Sequence, residues 1–492
     1  MTLPLNAANL PGLPATIARP EYDRSQLSVG IVHLGVGGFH RAHQAMYLDR
    51  LMNAGLAMDW AICGVGLLPA DRRMQQVMQA QDCLYTLIVK HPDGSASPRL
   101  IGSIIEYRYA PDDPEAVVEA LAAPSTKIVS LTVTEGGYNL SARTGRFDDT
   151  NLEVMKDLDA GAVPSTMFGF VTEALARRRA RGLGGFTVVS CDNIEGNGDT
   201  ARESICTFAS LRNRELGHWI RASVRFPNSM VDRITPATTD ADRQAFAEGY
   251  GVQDDWPVQC EPFTQWMLED DFVAGRPPLD RAGVNLVPNV RPYELMKLRL
   301  LNAGHQALAY FGYLAGYRLV HEASQDPAFA NFLRGYFAEA LPTLEPVPGI
   351  DLEDYQQSLI VRFCNAAISD TLARLATDGS DRIPKFLLPV ISENLAAGRD
   401  VSRSAAVLAS WARYCEGIDE QGQSIEVQDY LKVRLQGNAA RQHADPLAFI
   451  ADRELFGDLV DNQAFTEPYL RALSMLQSEG ARATVERLAQ DQ

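Results

Sequence analysis

The chain of 492 residues carries 45 Lys+Arg against 62 Asp+Glu, a formal net charge of −17, and is 46% hydrophobic. That length predicts two or three domains with ample core, and the acidic balance excludes nucleic acid, whose phosphates need a basic face. The seven cysteines, at 63, 83, 191, 206, 260, 364 and 415, form no CxxC pair or Cys/His cluster, which excludes a disulfide framework and a structural zinc. The first ten residues lack a basic segment and a continuous apolar run, and no apolar run approaches the ~18 residues needed to span a bilayer. The expectation is a cytoplasmic protein without membrane contact, a monomer or weak oligomer.

In chain order, Ser28–Leu34 reads as a strand, Arg41–Ala54 as a helix and Trp60–Val65 as a second strand. A polar helix over 70–81 follows, and Ile128–Val133 and Phe186–Ser190 are further buried strands. Such alternation predicts an α/β fold, a Rossmann-like parallel sheet with helices on both faces, whose ligand lies beyond the carboxyl ends of the strands. After about Leu286 long amphipathic stretches dominate: Tyr293–Tyr317, Pro327–Leu341, Leu352–Ala376, Ser402–Cys415 and Phe465–Ser478. The reading is a dinucleotide-binding domain over 1–285 and a mostly α-helical substrate domain over 286–492, joined through the Pro/Gly-rich stretch from Ala274 to Pro292.

Gly35-Val-Gly37-Gly38-Phe39-His40 follows the first strand and opens the first helix, with His40 at the third glycine position of the dinucleotide fingerprint. Glycines there let the backbone approach a pyrophosphate at a helix N-terminus. Asp71, beyond the second strand, suits a ribose 2′-hydroxyl and repels a 2′-phosphate, which favours NAD over NADP. Arg72 and Arg73 beside it pull the other way. Thr134-Glu135 and Asp192-Asn193 close later strands, where an Asn amide can stabilise a developing alkoxide.

The segment Glu294-Leu-Met-Lys297-Leu-Arg-Leu-Leu-Asn302-Ala-Gly-His305 sets four polar groups into an otherwise mostly apolar helix. At 100° per residue, Glu294, Lys297, Asn302 and His305 fall within roughly 140° of arc. Two readings are open: a core helix whose polar groups satisfy one another, or the wall of a catalytic site. Tyr293-x3-Lys297 matches the pair of short-chain dehydrogenases but lies outside the parallel sheet, so Tyr293 is read as structural. His40-x2-His43 has no third ligand and is not read as a metal site.

Phe226-Pro-Asn-Ser-Met-Val-Asp232-Arg233-Ile-Thr-Pro236 resembles the signature of the polyol-specific long-chain dehydrogenases, the mannitol 2-dehydrogenase family. The glycine turn, Thr134–Tyr138, Ser190–Asn193, the Lys297/Asn302/His305 helix, Pro346–Asp351 and Asp378–Ser380 resemble that family in order. The resemblance implies metal-independent, NAD-linked oxidation of a secondary alcohol in a straight-chain polyol such as D-mannitol, D-arabinitol or D-sorbitol, giving the ketose. It implies Lys297 as general base and Asn193 and Asn302 on the reacting oxygen. It gives His305 and Asp232 to the polyol, Glu294 to the proton's exit and Arg374 to the far end of the substrate. A base for an alcohol must be neutral, and a lysine meets that only when its ammonium is desolvated or repelled.

Arg382 departs from the lysine expected of the mannitol enzymes. With Arg374 as well, a second reading is a hexuronate reductase that converts fructuronate or tagaturonate to an aldonate, since arginine forks pair well with carboxylates. A module that binds the dinucleotide without chemistry is the non-enzymatic rival.

Overall fold

The computed structural model describes residues 2–141, 145–159 and 161–490. Their contacts divide the chain into two compact units, Met1–His91 with Ser95–Arg291, and Pro292–Gln492 with Pro92–Gly94.

The first unit is built on five parallel strands: β1 (Val29–Leu34), β2 (Ala61–Gly66), β3 (Ile104–Tyr109), β4 (Ile128–Leu131) and β5 (Thr187–Ser190). They lie in the order β3-β2-β1-β4-β5, the arrangement of a Rossmann sheet, with its crossover between β1 and β4. Alternation along the strands sorts side chains to two cores. Val32, Leu34, Val65, Val129, Leu131 and Val188 meet Val117, Leu121, Phe170, Val171, Ile205 and Phe208 of three helices on one face. Ile31, Ile62, Ile128 and Val189 meet Met46, Leu48, Leu51 and Trp266 on the other. Burying both faces is what makes these strands read as continuous apolar runs.

The first helix differs from its expectation. It is broken at His43 (φ −123°, ψ −87°) into α1 (Gly38–Ala42) and α2 (Gln44–Asn53). The sequence reading also missed β3, an edge strand whose Glu106 and Arg108 pair at 2.7 Å. The unit also holds two three-stranded sheets, Tyr85–Lys90 with Ala96–Ile101 and Val258–Cys260, and Ser229–Asp232 with Gln265–Glu269 and Asn285–Val287, and a two-stranded one, Leu3–Pro4 with Val252–Gln253.

The second unit is helical. Among its described residues, β structure is confined to the isolated bridges Leu319↔Thr371 and Ile418↔Ser424. Side-chain caps from Asp326, Asp351 and Thr371 start three of its helices. The stretch expected as one helix over 352–376 is two, Leu352–Phe363 and Leu372–Ala376, parted by a turn at Ser369 with φ +50°. Among the described residues no helix is long and apolar enough to cross a membrane.

Candidate active site

Beyond β1 the chain turns at Gly35, whose φ of +91° and whose position, 2.2 Å from an added Cβ to the Thr132 carbonyl oxygen, admit only glycine. Gly37 caps α1, and an added Cβ there meets no atom nearer than 3.9 Å. The turn is thus tight beneath and open above, beside the N–H groups of Gly38, Phe39 and His40 that begin a helix without intrahelical partners. This cradle fits a pyrophosphate.

The His40 side chain is taken up by packing. Its imidazole is fully buried, stacked on His33 with ring centroids 3.4 Å apart and bonded through Nδ1 to Gln44 Oε1 at 3.1 Å. Desolvation, offset in part by the Gln44 bond, pushes its pKa down to about 3. His33 is held well below its usual range, first by desolvation and then by His40. Both rings are neutral packing groups.

Asp71 ends the short turn Pro69–Asp71 after β2, and its Oδ2 accepts the Leu68 N–H at 2.9 Å. The two arginines that compete with it in the sequence are engaged. Arg72 forks onto Asp112, with Nη2 to Oδ1 at 2.5 Å, and lies over the Tyr109 ring at 4.3 Å. Arg73 lies over Trp256 at 4.9 Å.

The ends of β4 and β5 are tied together by Asp192, to which the sequence reading assigns no role. Its carboxylate accepts N–H groups from Val133 (3.2 Å) and Thr134 (2.8 Å) and the Tyr138 hydroxyl (2.7 Å). Thr134 and Asn193 are exposed, whereas the Glu135 side chain lies outside the described residues. Asp232 ends its strand opposite Gln265, 3% exposed. Arg233 donates to the carbonyls of Glu261 (3.0 Å) and Ala42 (2.7 Å), which explains the arginine of the long string structurally.

In the second unit, the run from Arg291 to Leu314 is not one regular α-helix. Lys297–Asn302 forms a π-helical turn between α-helical Arg291–Met296 and Ala303–Leu314. The Ala303 N–H reaches back five residues to the Leu298 carbonyl. The carbonyl skipped by this pattern, that of Arg299, accepts the hydroxyl of fully buried Tyr336 at 2.7 Å. The Arg299 guanidinium is pinned by Glu393 at 2.7 and 2.9 Å.

The wheel drawn from the sequence therefore needs correction. A π turn acts as one inserted residue, so Asn302 and His305 rotate back by about 100°, and the four polar groups contract from roughly 140° of arc to roughly 80°. Glu294, Lys297 and His305 are 5%, 6% and 7% exposed, and His305 packs on Phe363 with centroids 4.4 Å apart. Tyr293 donates its hydroxyl to the Pro348 carbonyl at 2.9 Å, a structural bond.

The two downstream arginines are also committed. Arg374 forks onto Asp370, Nε to Oδ1 at 2.6 Å and Nη2 to Oδ2 at 2.5 Å. Arg382, read from the sequence as a carboxylate fork, donates instead to the carbonyls of Arg374 (3.3 Å) and Leu375 (3.1 Å) at the end of helix Leu372–Ala376.

A Rossmann unit with an open glycine turn, followed by a helical unit carrying a buried lysine, is the architecture of a dinucleotide-dependent dehydrogenase. The family description "Mannitol dehydrogenase Rossmann domain" matches residues 29–281, and "Mannitol dehydrogenase C-terminal domain" matches 289–477. The chain is 44% identical to a mannitol 2-dehydrogenase of Phaeosphaeria nodorum over 99% of this chain and 86% of that one. It is likewise 44% identical to that of Cereibacter sphaeroides, over 96% and 98%. Among solved structures it is similar to Pseudomonas fluorescens mannitol 2-dehydrogenase in ternary complex with NAD and D-mannitol, with a TM-score of 0.94, 44% identity and 100% of both chains covered. A substrate-free D-sorbitol dehydrogenase matches at a TM-score of 0.87 and 38% identity, over 98% and 100% of the two chains. The chain belongs to the mannitol dehydrogenase family and is a polyol dehydrogenase.

Proposed function

We propose that this enzyme uses NAD to oxidise a secondary alcohol of a straight-chain polyol to the 2-ketose, D-mannitol to D-fructose first, with D-arabinitol or D-sorbitol as further substrates. Bound NAD supplies the hydride acceptor. The observation that carries the reading is the π turn, which aligns an amine and an amide five residues apart in an apolar, water-poor helix.

Lys297 takes the hydroxyl proton as the carbinol C–H leaves as hydride, so the oxygen never carries a full charge unassisted. The Asn302 amide donates to that oxygen, work done by a metal in other alcohol dehydrogenases. His305 holds a neighbouring hydroxyl, and Glu294, one helical turn before Lys297, passes the proton outward. The proposal extends to Asn193 as a second amide and Asp232 as a hydroxyl-binding carboxylate. For the cofactor it names the turn from Gly35 through Gly37, Gly38, Phe39 and His40, Asp71 at the ribose, and Thr134 with Glu135 at the nicotinamide half.

A uronate finds no comparable support. Arg374 already faces the carboxylate of Asp370, so it offers no unneutralised fork, and Arg382 is held through Nη1 by two carbonyls.

Lys297→Ala tests the reading. Turnover of mannitol should fall by roughly 10²–10⁴-fold, while fluorescence titration shows NADH binding retained. Wild-type oxidation should rise with pH to a plateau and be unaffected by chelators. Turnover retained in Lys297→Ala sinks the assignment of the base.

A further inference from the structure

The conformation of Thr134 is the most costly backbone in the first unit's sheet edge. At φ +65°, ψ 169° a β-branched residue occupies a region that glycine adopts without strain. Two successive backbone N–H groups, those of Val133 and Thr134, hold it there by donating to the two oxygens of one carboxylate, Asp192.

That carboxylate is itself fixed on several sides. Fully buried Tyr138 donates to Oδ2 and contacts Ser190 Oγ at 2.5 Å. Burial first, then the Asp192 charge, holds the phenol well above its usual pKa, so it stays a donor. The Asp192 carbonyl accepts from the Asn197 amide at 3.1 Å, and the same amide nitrogen donates to the Ser229 carbonyl at 2.7 Å. Asn197 thus braces the end of β5 against the strand that ends in Asp232.

Such a clamp is not needed to close a loop, because glycine at 134 would close it without strain. Strain kept in place by a buried charge network, at the carboxyl end of a sheet beside its crossover, marks a backbone held for a ligand. We propose that Asp192 is the positioning residue of this site. It holds the exposed Thr134 peptide and hydroxyl against the nicotinamide half of the dinucleotide and, through its own backbone, sets the adjacent Asn193 amide. The inference rests on the cofactor reading above and adds a residue to it.

Thr134→Gly and Asp192→Asn test the clamp. Asn keeps the size of Asp192 but puts a donor where Asp192 accepts. Thr134→Gly should keep or raise the melting temperature of the cofactor-free enzyme, yet weaken NADH binding about five- to tenfold, one hydrogen bond's worth. Asp192→Asn should weaken NADH binding by at least as much and lower kcat per folded enzyme. If both variants bind NADH and turn over as wild type per folded enzyme, with losses confined to melting temperature, the clamp is merely structural and the proposal is overturned. NADH titration needs no polyol, so a wild-type enzyme that binds NADH but fails on every polyol refutes the substrate reading while this test stays decisive.

Discussion

Lys297 and Asn302 stand at the two ends of a π turn, and the carbonyl that this turn leaves over, that of Arg299, is taken by the hydroxyl of Tyr336 at 2.7 Å. A helix tolerates the wider turn only when the freed backbone group finds a partner, because a buried unsatisfied acceptor costs about 1–3 kcal/mol. Tyr336→Phe keeps the ring and removes that partner. It should lower the melting temperature and reduce kcat for mannitol about tenfold by letting the turn relax toward α geometry. Unchanged kcat and KM would show that the turn holds itself.

In the proposed reading, the Arg374–Asp370 fork bears on substrate charge. Asp370 is 6% exposed and sits one turn before Arg374, so the pair presents hydrogen-bonding groups with little net charge. Asp370→Asn leaves the guanidinium charge uncompensated. The ratio of kcat/KM for mannonate to that for mannitol should rise at least tenfold, read by NADH formation on the two substrates. Equal losses on both would mean the pair serves only the fold.

In the proposed reading, cofactor choice turns on Asp71 and Arg72. Asp112 and the Tyr109 ring occupy Arg72, which under that reading leaves Asp71 to favour a ribose hydroxyl over a 2′-phosphate. Asp112→Ala releases the arginine fork, and the double variant with Asp71→Ala removes the repulsion as well. The NADP-to-NAD ratio of kcat/KM should rise several-fold in the single variant and further in the double. A ratio that stays flat in both places the selectivity elsewhere.

Acid should destabilise the first unit through the stacked His33–His40 pair. The unfolded chain takes up protons on these rings below about 6.5, whereas folded His40 resists until about 3 and folded His33 is also depressed. The unfolded state therefore binds more protons between those values, and stability is lost progressively as pH falls from about 6.5 toward 3. His40→Phe keeps a stacking ring without a titratable nitrogen. Melting temperature plotted against pH should fall less steeply for it than for wild type, and parallel curves would contradict the linkage.

Much of the first unit is legible in the chain itself. The strand–turn–helix at Gly35–His40 is a local pattern, in which apolar periodicity and glycine placement act within a few residues of each other. The apolar flanks of Lys297 likewise announced a buried helix. What escaped reading was non-local or nearly silent. β3 lies at a sheet edge, where Glu106 and Arg108 face water and interrupt the apolar run. The break at His43 is marked by no proline or glycine at that position.

Short ordered motifs were enough for the family and the cofactor class, because both are written within a few residues of chain. How the side chains are aimed came from the fold. Arg72 is claimed by Asp112, forty positions away, and the Thr134 backbone by Asp192, fifty-eight positions on. The π turn that begins at Lys297 has its Arg299 carbonyl taken by Tyr336, thirty-seven residues beyond that arginine. Each is a contact between segments that chain order leaves far apart. A side chain's charge can be read from its letter, but its availability depends on which partner the fold brings to it.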